Sequence, residues 1–264
     1  MRSKPIVLKL GGSVVTYKEK VLSPNYEAIK RLAEEVARAE AQPLIIVHGG
    51  GSFGHPLASV YRIAEGFSDN RQILGFSKTH EAMVFLNNLI VKNLLDQDVP
   101  AFSMAPSSFI ITSKGRIQTY NYKPLIKAVD MHLVPVLHGD AVLDFDKGFA
   151  VLSGDQIVAH IALKLKAEKI IMGIDVDGLY DSDPKLNPSA HFIPNIKLEQ
   201  LEKLKNTLTR TSLIDVTHGM MGKISEIILA IRCGIPTLIV NASKPGNIEM
   251  ALKGEEVVGT KIER

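Results

Sequence analysis

The stretch Leu44-Ile-Ile-Val-His-Gly-Gly-Gly-Ser-Phe-Gly-His55 joins a short apolar run, rich in β-branched residues, to a loop with four glycines. The apolar run predicts a buried β-strand. Consecutive glycines carry no Cβ, so their backbone N–H groups can converge on one oxyanion. If a helix follows, its N-terminus adds partial positive charge. His55 lies at the far edge of the loop, where it can donate a hydrogen bond to the same anion.

The same glycines also fit a different kind of site, because Gly49, Gly51 and Gly54 have the G-x-G-x-x-G spacing of dinucleotide-binding loops. That motif requires a second strand ending in an acidic residue about 20 residues further on. Asp69 has the required distance, but residues 62–70 are polar and lack a β-rich run. The pattern therefore favours phosphate binding over nicotinamide or flavin binding.

The composition is that of an ordinary globular protein. With 264 residues, of which 45% are hydrophobic, the chain can bury one large α/β core or two modest ones. The net charge of +3 comes from dispersed charges without a basic run, which argues against a nucleic-acid partner. We expect no membrane span and no signal peptide, because no apolar run is long enough and strand-like sequence begins at Ile6. The single cysteine, Cys233, fits a reducing cytoplasm, and its apolar surroundings predict a core position.

The chain before the quoted stretch has the same pattern. Residues 6–10 predict a buried strand that contains one lysine and is followed by a second glycine loop at 11–13. Ser23 and Pro24 have the N-cap and first-turn chemistry of a helix, and apolar residues recur at helical spacing through 28–39. Strand, helix and strand in succession predict a βαβ unit and therefore a parallel sheet.

The rest of the chain continues to alternate strands and helices, which indicates an α/β protein. We predict helices at 78–97, 124–132, 156–166, 198–205, 223–233 and from Pro245, and strands at 133–137, 169–174, 236–240 and 257–262. Hairpins are predicted around 113–115 and 146–148, and an ordered surface loop at 181–188.

Three charged residues lie beside glycine turns or inside apolar sequence. Lys9 falls inside a predicted buried strand, and lysine is rarely buried without an anionic partner. Asp155 follows a Ser-Gly turn at a helix start, where it either stabilises the helix dipole or has a functional role. Lys223 opens a predicted helix after two glycines, where its charge opposes the dipole unless an anion lies nearby. Together with two glycine loops, these residues favour phosphate chemistry over a surface role.

Several known phosphate, metal and hydrolase motifs are absent from the sequence. Gly222-Lys223 is followed by Ile224, whereas a P-loop has Ser or Thr there to bind magnesium. No Cys/His cluster has zinc spacing, and no nucleophile elbow is present. The predicted chemistry therefore depends on lysines, glycine loops and a carboxylate.

Six motifs follow one another along nearly the whole chain: KLGGS (9–13), HGGG (48–51), SGD (153–155), DVDGLY (175–180), DPK (183–185) and VTHGM (216–220). This series, followed by Lys223, resembles the amino acid kinase superfamily. Within it, HGGGSFGH (48–55), with PSSF (106–109) and HGD (138–140), is most similar to the isopentenyl phosphate kinases of archaeal type. One motif departs from the usual pattern, because His218 stands where the superfamily usually has glycine, and its bulk bears on the local loop path.

The resemblance implies a fold, an activity and an assembly. The implied fold is α/β, a three-layer αβα sandwich around a mostly parallel central sheet, with residues 1–264 as one domain. Residues 1–166 are expected to bind the acceptor and residues 167–264 the nucleotide. The implied reaction is ATP-dependent phosphorylation of isopentenyl phosphate to isopentenyl diphosphate, in isoprenoid biosynthesis by the alternative mevalonate route. ATP is the implied nucleotide, Mg²⁺ is held mainly by its phosphates, and the implied assembly is a homodimer.

The resemblance also assigns roles to individual residues. Those matched to catalysis are Lys9, Lys18, Asp155 and Lys223. Those matched to the acceptor are Gly50, Gly51, His55 and Gly154. Those matched to the nucleotide are Gly11, Gly12, Ser13, Asp175, Asp177, Gly178, Tyr180, Asp183, Lys185, Gly219 and Lys223. No set of side-chain ligands for a metal ion is implied.

The chemistry of phosphate acceptors agrees with this assignment. A phosphate monoester has a second pKa near 6, so its oxygen is already anionic at neutral pH and needs no general base. Phe76, Met83, Leu86 and Ile157 are expected to wall a pocket for a short hydrocarbon tail, whereas a carboxylate acceptor would call for an arginine or similar anchor. Two alternatives stay open: a kinase for another small phosphate, a phosphonate or UMP, and a nucleotide-binding storage or sensor protein without catalysis. The presence of both lysines and the carboxylate favours catalysis.

Overall fold

The computed structural model describes residues 3–182, 187, 189–203 and 216–264; within 216–221, Met220 is the one side chain described. The strands are β1 Ile6–Leu10, β2 Leu44–His48, β3 Ala101–Ser103, β4 Ile110–Ser113, β5 Arg116–Tyr120, β6 Val134–His138, β7 Asp140–Asp144, β8 Gly148–Leu152, β9 Lys169–Ile174, β10 Leu179–Tyr180, β11 Phe192–Ile193, β12 Asn195–Lys197, β13 Thr237–Asn241 and β14 Gly259–Glu263. The helices are α1 Gly12–Val15, α2 Tyr26–Ala39, α3 Gly51–Val60, α4 Arg71–Leu95, α5 Lys123–Asp130, α6 Gly154–Leu165, α7 Val216–Arg232 and α8 Asn247–Lys253, with further helical backbone at 198–203.

The central sheet has the strand order β12-β14-β13-β9-β1-β2-β6-β3. Neighbouring strands are parallel except for the antiparallel pair β13 and β14. Strands β1 and β2 are buried along their whole length because helices cover both faces of the sheet, which is why they are almost continuously apolar. The predicted three-layer αβα sandwich is confirmed.

Two apolar cores lie on the two faces of this sheet. Alternation along β1 sends Ile6, Leu8 and Leu10 to one face, where they pack with apolar residues of α1, α2, α4 and α8. Val7 points to the other face, among apolar residues of α5, α6 and α7. Lys9 shares the face of Val7 by the same alternation, so β1 directs its lysine toward α6.

The strand order also separates the two parts of the chain within the central sheet. Strands β1, β2, β6 and β3, from residues 1–166, lie on one side, and β9, β13, β14 and β12, from residues 167–264, lie on the other. The two sides meet where β1 pairs with β9, with Lys9 opposite Met172.

A smaller sheet, in the order β5-β4-β7-β8, joins the two predicted hairpins. The tip of the first hairpin has two consecutive residues with positive φ, 51° at Lys114 and 77° at Gly115. This combination matches the right-handed twist of the flanking strands and gives a tight two-residue turn. Both hairpins are therefore where the sequence predicts them.

Four other predictions need correction. Helix α2 begins at Tyr26 and not at Pro24, because Asn25 and not Ser23 is the N-cap, which accepts from the amide of Ala28 at 3.1 Å. Helix α4 begins at Arg71, not at 78, because its first turns bury Gln72 and expose Ile73, the reverse of an amphipathic pattern. Helix α7 begins at Val216, not at 223, because the glycines that suggest a loop are tolerated inside the helix. Cys233 is exposed just after α7 and is not a core residue.

Helix α4, with 25 residues, packs beside α2 and α3 and also contacts strands β3, β6 and β7. Its inner face carries buried apolar residues and also the buried polar residues Thr79 and Asn87. Neither this helix nor any other described helix has the combined length and apolar character needed to cross a bilayer.

Candidate active site

The carboxyl ends of β1, β2, β6 and β9 meet at one edge of the central sheet, and a cavity of about 650 Å³ opens there. Parallel strands end on the same side, so loops that are distant in sequence converge at this edge. The predicted site residues that line the cavity are Lys9, Gly11, Gly12, Ser13, Lys18, Gly50, Gly51, His55, Met83, Gly154, Asp155, Asp175 and Lys223.

The two predicted glycine loops lie against each other, backbone on backbone. A Cβ on Gly12 would lie 2.3 Å from the backbone nitrogen of Gly51, far inside van der Waals contact. Gly51 has a φ of +47°, and a Cβ there would lie 2.1 Å from Thr16 Oγ1. Glycine is required at both positions, and the two loops form one rigid wall of the cavity. The first amides of α1 and α3, those of Gly12 and Gly51, lie in this wall and have no intrahelical acceptor, so they are suited to an anion.

Thr16 holds the two loops together, a role that the sequence does not predict. Its hydroxyl donates to the carbonyl of Gly12 at 2.8 Å and accepts from the amide of Ser52 at 3.0 Å. The side chain is buried, so these bonds are shielded from water. A threonine four residues after a glycine belongs to no motif, and its role is visible only from the contact between α1 and α3.

Lys9 Nζ lies 2.9 Å from Asp155 Oδ1, and Lys9 is only 2% exposed. The sequence predicts an anion beside this buried lysine, and Asp155 is that anion. The ammonium group of Lys9 has three N–H donors, so it can bind Asp155 and still donate to a second anion. Asp155 is held at the start of α6, where Ser153 caps the helix by accepting from the amide of Gln156 at 3.1 Å.

Lys223 reaches the same cavity from α7. Burial and the nearby charge of Lys9 lower the pKa of Lys223 from its ordinary value, while Asp155 and Asp175 act in the opposite direction. An anion bound between the two lysines would relieve their repulsion. Lys223 is the eighth residue of α7, so the conflict with the helix dipole that the sequence predicts is absent.

His55 lines the cavity from α3. Burial, followed by the positive charges of Lys223 and Lys9, lowers the pKa of His55, and Asp155 opposes this shift. The imidazole is therefore neutral near pH 7 in the free protein and can donate one hydrogen bond. A dianion in the cavity would raise this pKa.

The other side of the cavity carries more exposed ion pairs. Lys18 Nζ lies 2.9 Å from Asp175 Oδ2, with 61% and 35% of the two side chains exposed. Burial alone would raise the pKa of Asp175, but Lys18 and the hydroxyl of Ser13 hold it below its usual range. Asp177 pairs in the same way with Lys244 Nζ at 2.8 Å. These pairs link the loop after β9 to the loops after α1 and β13.

Three residues matched to the nucleotide shape the loop after β9 without lining the cavity. Asp177 forms the ion pair just described. Gly178 has a φ of +151°, and a Cβ there would lie 2.4 Å from Thr260 Oγ1, so glycine is required. The ring of Tyr180 packs edge-on against Phe192, with centroids 5.5 Å apart. Their described contacts are structural.

Met83 of α4 lines the apolar end of the cavity. The other three residues expected to wall the tail pocket do not line it. Leu86 and Ile157 are fully buried in the two cores, and Phe76 packs against Phe149 with ring centroids 5.7 Å apart. The apolar periodicity of a helix marks the face that is buried, but it does not show which part of that face borders a cavity.

The residues at this end that the sequence does not single out are Ala58, Thr79, Asp140, Val151 and Leu152. Asp140 is buried and accepts from His80 Nδ1 at 2.9 Å and from the amide of Ser107 at 3.2 Å. The hydrogen bond and charge of Asp140 raise the pKa of His80. Both Asp140 and Ser107 belong to motifs that carry the family resemblance, so the signal is present in the sequence although their contact is not.

Some predicted positions are not described. Asp183 and Lys185 lie outside the described residues, as does most of the predicted loop at 181–188. Gly219 and His218 have helical backbone in α7, with nothing further described. Among the residues that are described, no group of three or more His, Cys, Asp or Glu side chains is arranged to hold a metal ion.

Comparisons of this chain with known proteins agree with the geometry of the site. Residues 4–241 match the amino acid kinase family. The chain belongs to the amino acid kinase family. The isopentenyl phosphate kinase of Methanothermobacter thermautotrophicus is 43% identical over 97% of this chain and 98% of that protein, and the one from Methanocaldococcus jannaschii is 38% identical over 97% and 98%. A solved structure of isopentenyl phosphate kinase superposes with a TM-score of 0.86 at 39% identity, covering 98% of this chain and 99% of that one.

These matches confirm the predicted resemblance to the isopentenyl phosphate kinases within the amino acid kinase family. The family match, over residues 4–241, includes every residue that lines the cavity, from Lys9 to Lys223. The amino acid kinase fold of this chain thus brings together a cationic centre and a glycine-lined wall. The apolar end of the same cavity, walled by Ala58, Met83, Val151 and Leu152, is its apolar arm.

Proposed function

We propose that this protein transfers the terminal phosphoryl group of ATP to isopentenyl phosphate, giving isopentenyl diphosphate. The observation that carries the proposal is a single cavity in which Lys9, paired with Asp155, and Lys223 lie beside two glycine loops and an apolar arm. The full-length similarity to isopentenyl phosphate kinases supports the choice of acceptor. Such an enzyme acts in isoprenoid biosynthesis.

The acceptor phosphate brings its own nucleophile. At neutral pH one of its oxygens is anionic, so the protein has no proton to remove. What it must overcome is the repulsion between two polyanions, and it must hold the attacking and leaving oxygens in line. Lys9 and Lys223 supply the positive charge between donor and acceptor, in a partly buried setting where charge acts strongly.

The remaining cavity residues position the reacting groups. Asp155 holds Lys9 through the ion pair and keeps the ammonium group aimed into the cavity. Gly50, Gly51 and Gly154 admit the acceptor phosphate close to the backbone, and His55 donates to it. The tail then extends along Ala58, Met83 and Val151, where removal of hydrocarbon from water contributes to binding.

ATP fits the side of the cavity formed by the loops after β1 and β9, where Gly11, Gly12 and Ser13 leave room for phosphates and Lys18 provides charge. We propose Asp175, Asp177, Gly178, Tyr180, Asp183, Lys185 and Gly219 as the remaining contacts or supports of the nucleotide. Mg²⁺ bound mainly to the nucleotide phosphates would add positive charge. Residues 1–166 then form the acceptor half and 167–264 the nucleotide half, in keeping with the division of the central sheet.

The alternatives fit less well. A carboxylate acceptor needs an anchor for a second charged head, and no arginine lines the described cavity. UMP would place a polar base where the arm is walled by Ala58, Met83, Val151 and Leu152. A storage or sensor protein has no need for two lysines held at close range against their mutual repulsion.

We further propose a cytoplasmic homodimer without nucleic-acid or membrane partners.

The direct test is ADP release, coupled to a spectrophotometric readout, with a panel of isopentenyl phosphate, UMP, a phosphonate and N-acetylglutamate. We expect kcat/KM for isopentenyl phosphate to exceed the others by at least about a hundredfold, and isopentenyl diphosphate to appear in step with ADP. The Lys9→Ala variant controls for contaminating kinases. A preference for UMP or the phosphonate would reassign the acceptor, and no turnover with any of them would favour the sensor alternative.

A further inference from the structure

The tip of the hairpin between β4 and β5 is hydrogen-bonded to the neighbouring strand β7. The buried carboxylate of Asp144, on β7, accepts from the amides of Lys114 at 3.2 Å and Gly115 at 2.7 Å. It also accepts from Thr112 Oγ1 at 2.8 Å. Burial alone would raise the pKa of Asp144, but these hydrogen bonds hold it well below its usual range. The tip is therefore a fixed part of the fold and not a loose turn.

The same tip is bound to the helix that carries Asp155. Gln156, the next residue on α6, accepts from the amide of Ile117 through Oε1 at 2.9 Å and donates from Nε2 to the carbonyl of Gly115 at 3.1 Å. Gln156 is buried, so both bonds are shielded and both backbone groups depend on it. Asp155 and the hairpin tip are consequently fixed relative to each other.

On its outer side the tip is bound to the helix that carries Lys223. Arg116 Nη1 and Nη2 lie 2.6 and 2.8 Å from the two carboxylate oxygens of Glu226, a bidentate pair of fixed geometry. Glu226 follows Lys223 by one turn of α7, so the two side chains lie on the same face. The pair therefore joins the middle of α7 to the acceptor half of the chain.

We infer that the hairpin tip is a positioning element, in which Gln156 and the Arg116–Glu226 pair set the separation between Asp155 and Lys223. This inference rests on the proposed kinase function and deepens it by adding residues that touch no substrate. In-line transfer requires near-perfect placement of the charged groups, and a shift of about 1 Å can cost on the order of 10² in rate. The pair acts through placement of Lys223, which matters most when charge is shared between donor and acceptor.

Helix α7 offers a matched control for this role. Its far end carries a second Arg–Glu pair, in which Arg232 Nε and Nη2 lie 3.0 and 2.6 Å from Glu202 Oε1. Both pairs are partly exposed, with 63% of Arg116 and 56% of Arg232 open to solvent. A purely structural contribution should be similar for the two, whereas Glu226, the partner of Arg116, is one turn of α7 from Lys223 and Arg232 is nine residues beyond it.

The experiment compares Arg116→Ala, Glu226→Ala and the exchange Arg116→Glu/Glu226→Arg with Arg232→Ala and Glu202→Ala. We expect Arg116→Ala and Glu226→Ala each to lower kcat roughly tenfold, with KM for ATP and for isopentenyl phosphate changed less than about twofold. The double alanine variant should be no worse than either single one, and the exchanged pair should recover most of kcat. Arg232→Ala and Glu202→Ala should keep kcat, with melting temperatures lowered as much as in the Arg116 variants.

The outcomes separate this inference from the proposed function. A wild-type protein without turnover on any phosphate acceptor overturns both. An active wild type in which Arg116→Ala and Arg232→Ala have the same kcat overturns the positioning role alone, as does a loss at Arg116 that the exchanged pair does not restore while its melting temperature is normal.

Discussion

Lys9 and Lys18 lie on two sides of one cavity, yet Lys9 is 2% exposed while the side chain of Lys18 is 61% exposed. Around Lys9, the walls are backbone: Gly12 and Gly51 touch without side chains between them, and the one carboxylate is at the start of a helix. Around Lys18, the contacts are ion pairs between lysines and aspartates on loops. Lys18 pairs with Asp175, and Lys244 pairs with Asp177.

The difference shows that the side of the cavity around Lys9 is preformed. Buried charges held by strands and helix starts cannot relax when one is removed, so the remaining partner bears the full cost of its burial. Exposed ion pairs of a single lysine ammonium group, which lack the fixed bidentate geometry of the Arg116–Glu226 pair, contribute about 0–1 kcal/mol, are screened by salt and can exchange partners when a nucleotide enters. We therefore expect large mutational effects on the side of Lys9 and small ones on the side of Lys18.

The largest effects are expected at the centre. Lys9→Ala and Lys223→Ala should each lower kcat by about 10² or more, while ATP binding weakens much less, because their charge is needed most in the transition state. Asp155→Asn should act similarly by releasing Lys9 from its aimed position. Steady-state kinetics with nucleotide titration would measure this, and melting curves would control for unfolding. Near-wild-type turnover in both lysine variants would remove this cavity as the site of reaction.

His55 should have the next largest effect. His55→Ala should lower kcat/KM for isopentenyl phosphate roughly tenfold to a hundredfold, the range expected for a hydrogen bond to a charged group, and His55→Gln should retain more because it keeps a donor. If the alanine variant has wild-type kinetics, or if its loss is wholly explained by a lower melting temperature, His55 does not bind the acceptor.

The pH dependence of the acceptor KM sharpens the same point. In the empty cavity the pKa of His55 is lowered, so the ring is neutral at pH 7, and a bound dianion should raise this pKa. Binding then takes up a proton, so the acceptor KM should rise as the pH increases from the lowered pKa of the free ring to the raised pKa in the complex, whereas below about pH 6 the acceptor itself loses its second charge. The rise should flatten in His55→Gln. An equal rise in both proteins would assign it to another group.

An intermediate effect is expected in the apolar arm, where chain-length preference can be separated from stability. Met83 lines the cavity, and Met83→Ala should improve the relative kcat/KM for ten-carbon over five-carbon acceptors by about tenfold. Leu86, one turn further along α4, is as buried as Met83 but does not line the cavity, so Leu86→Ala should cost about 2–5 kcal/mol of unfolding free energy without altering the preference. An unchanged preference in the Met83 variant would place the hydrocarbon tail elsewhere.

The smallest effect is expected at the exposed ion pair of Lys244. Lys244→Ala should change the KM for ATP by less than about threefold, and this change should shrink further at high salt, because the pair is exposed and screened. Kinetics at two ionic strengths would measure it. A loss comparable to that of Lys9→Ala would mean that the nucleotide side is as rigid as the acceptor side.

Much of this architecture could be predicted because buried parallel strands are short apolar runs, and β1 and β2 lead into glycine loops. That is why β1, β2 and β9, and the loops after β1 and β2, are where the sequence indicates. Lys9 could be identified as needing an anion, since a lysine in the middle of a buried strand must have its charge compensated. The pairing with Asp155 is visible only in the fold, because two residues this far apart carry no local signal of contact.

The misses have physical causes of their own. The first turns of helix α4 lack the apolar spacing of a helix, because polar residues such as Gln72 and Thr79 are buried there. Their hydrogen bonds replace apolar contacts. Helix α7 contains glycines that a propensity argument takes for a loop, while packing on α6 keeps them helical. Thr16 and Asp140 shape the cavity through tertiary hydrogen bonds, and no periodicity or spacing records such bonds.

The backbone contact between Gly12 and Gly51 also limits how this chain can change over evolutionary time. A clash between side chains can be relieved by a second substitution that shortens the neighbour. At Gly12 the neighbour is main-chain nitrogen, which every amino acid possesses, so no second substitution at position 51 can make room. Gly222, by contrast, has open space around it and an ordinary φ. We expect sequences descended from this one to lose Gly222 freely and to keep Gly12 and Gly51 together for as long as the loops remain in contact.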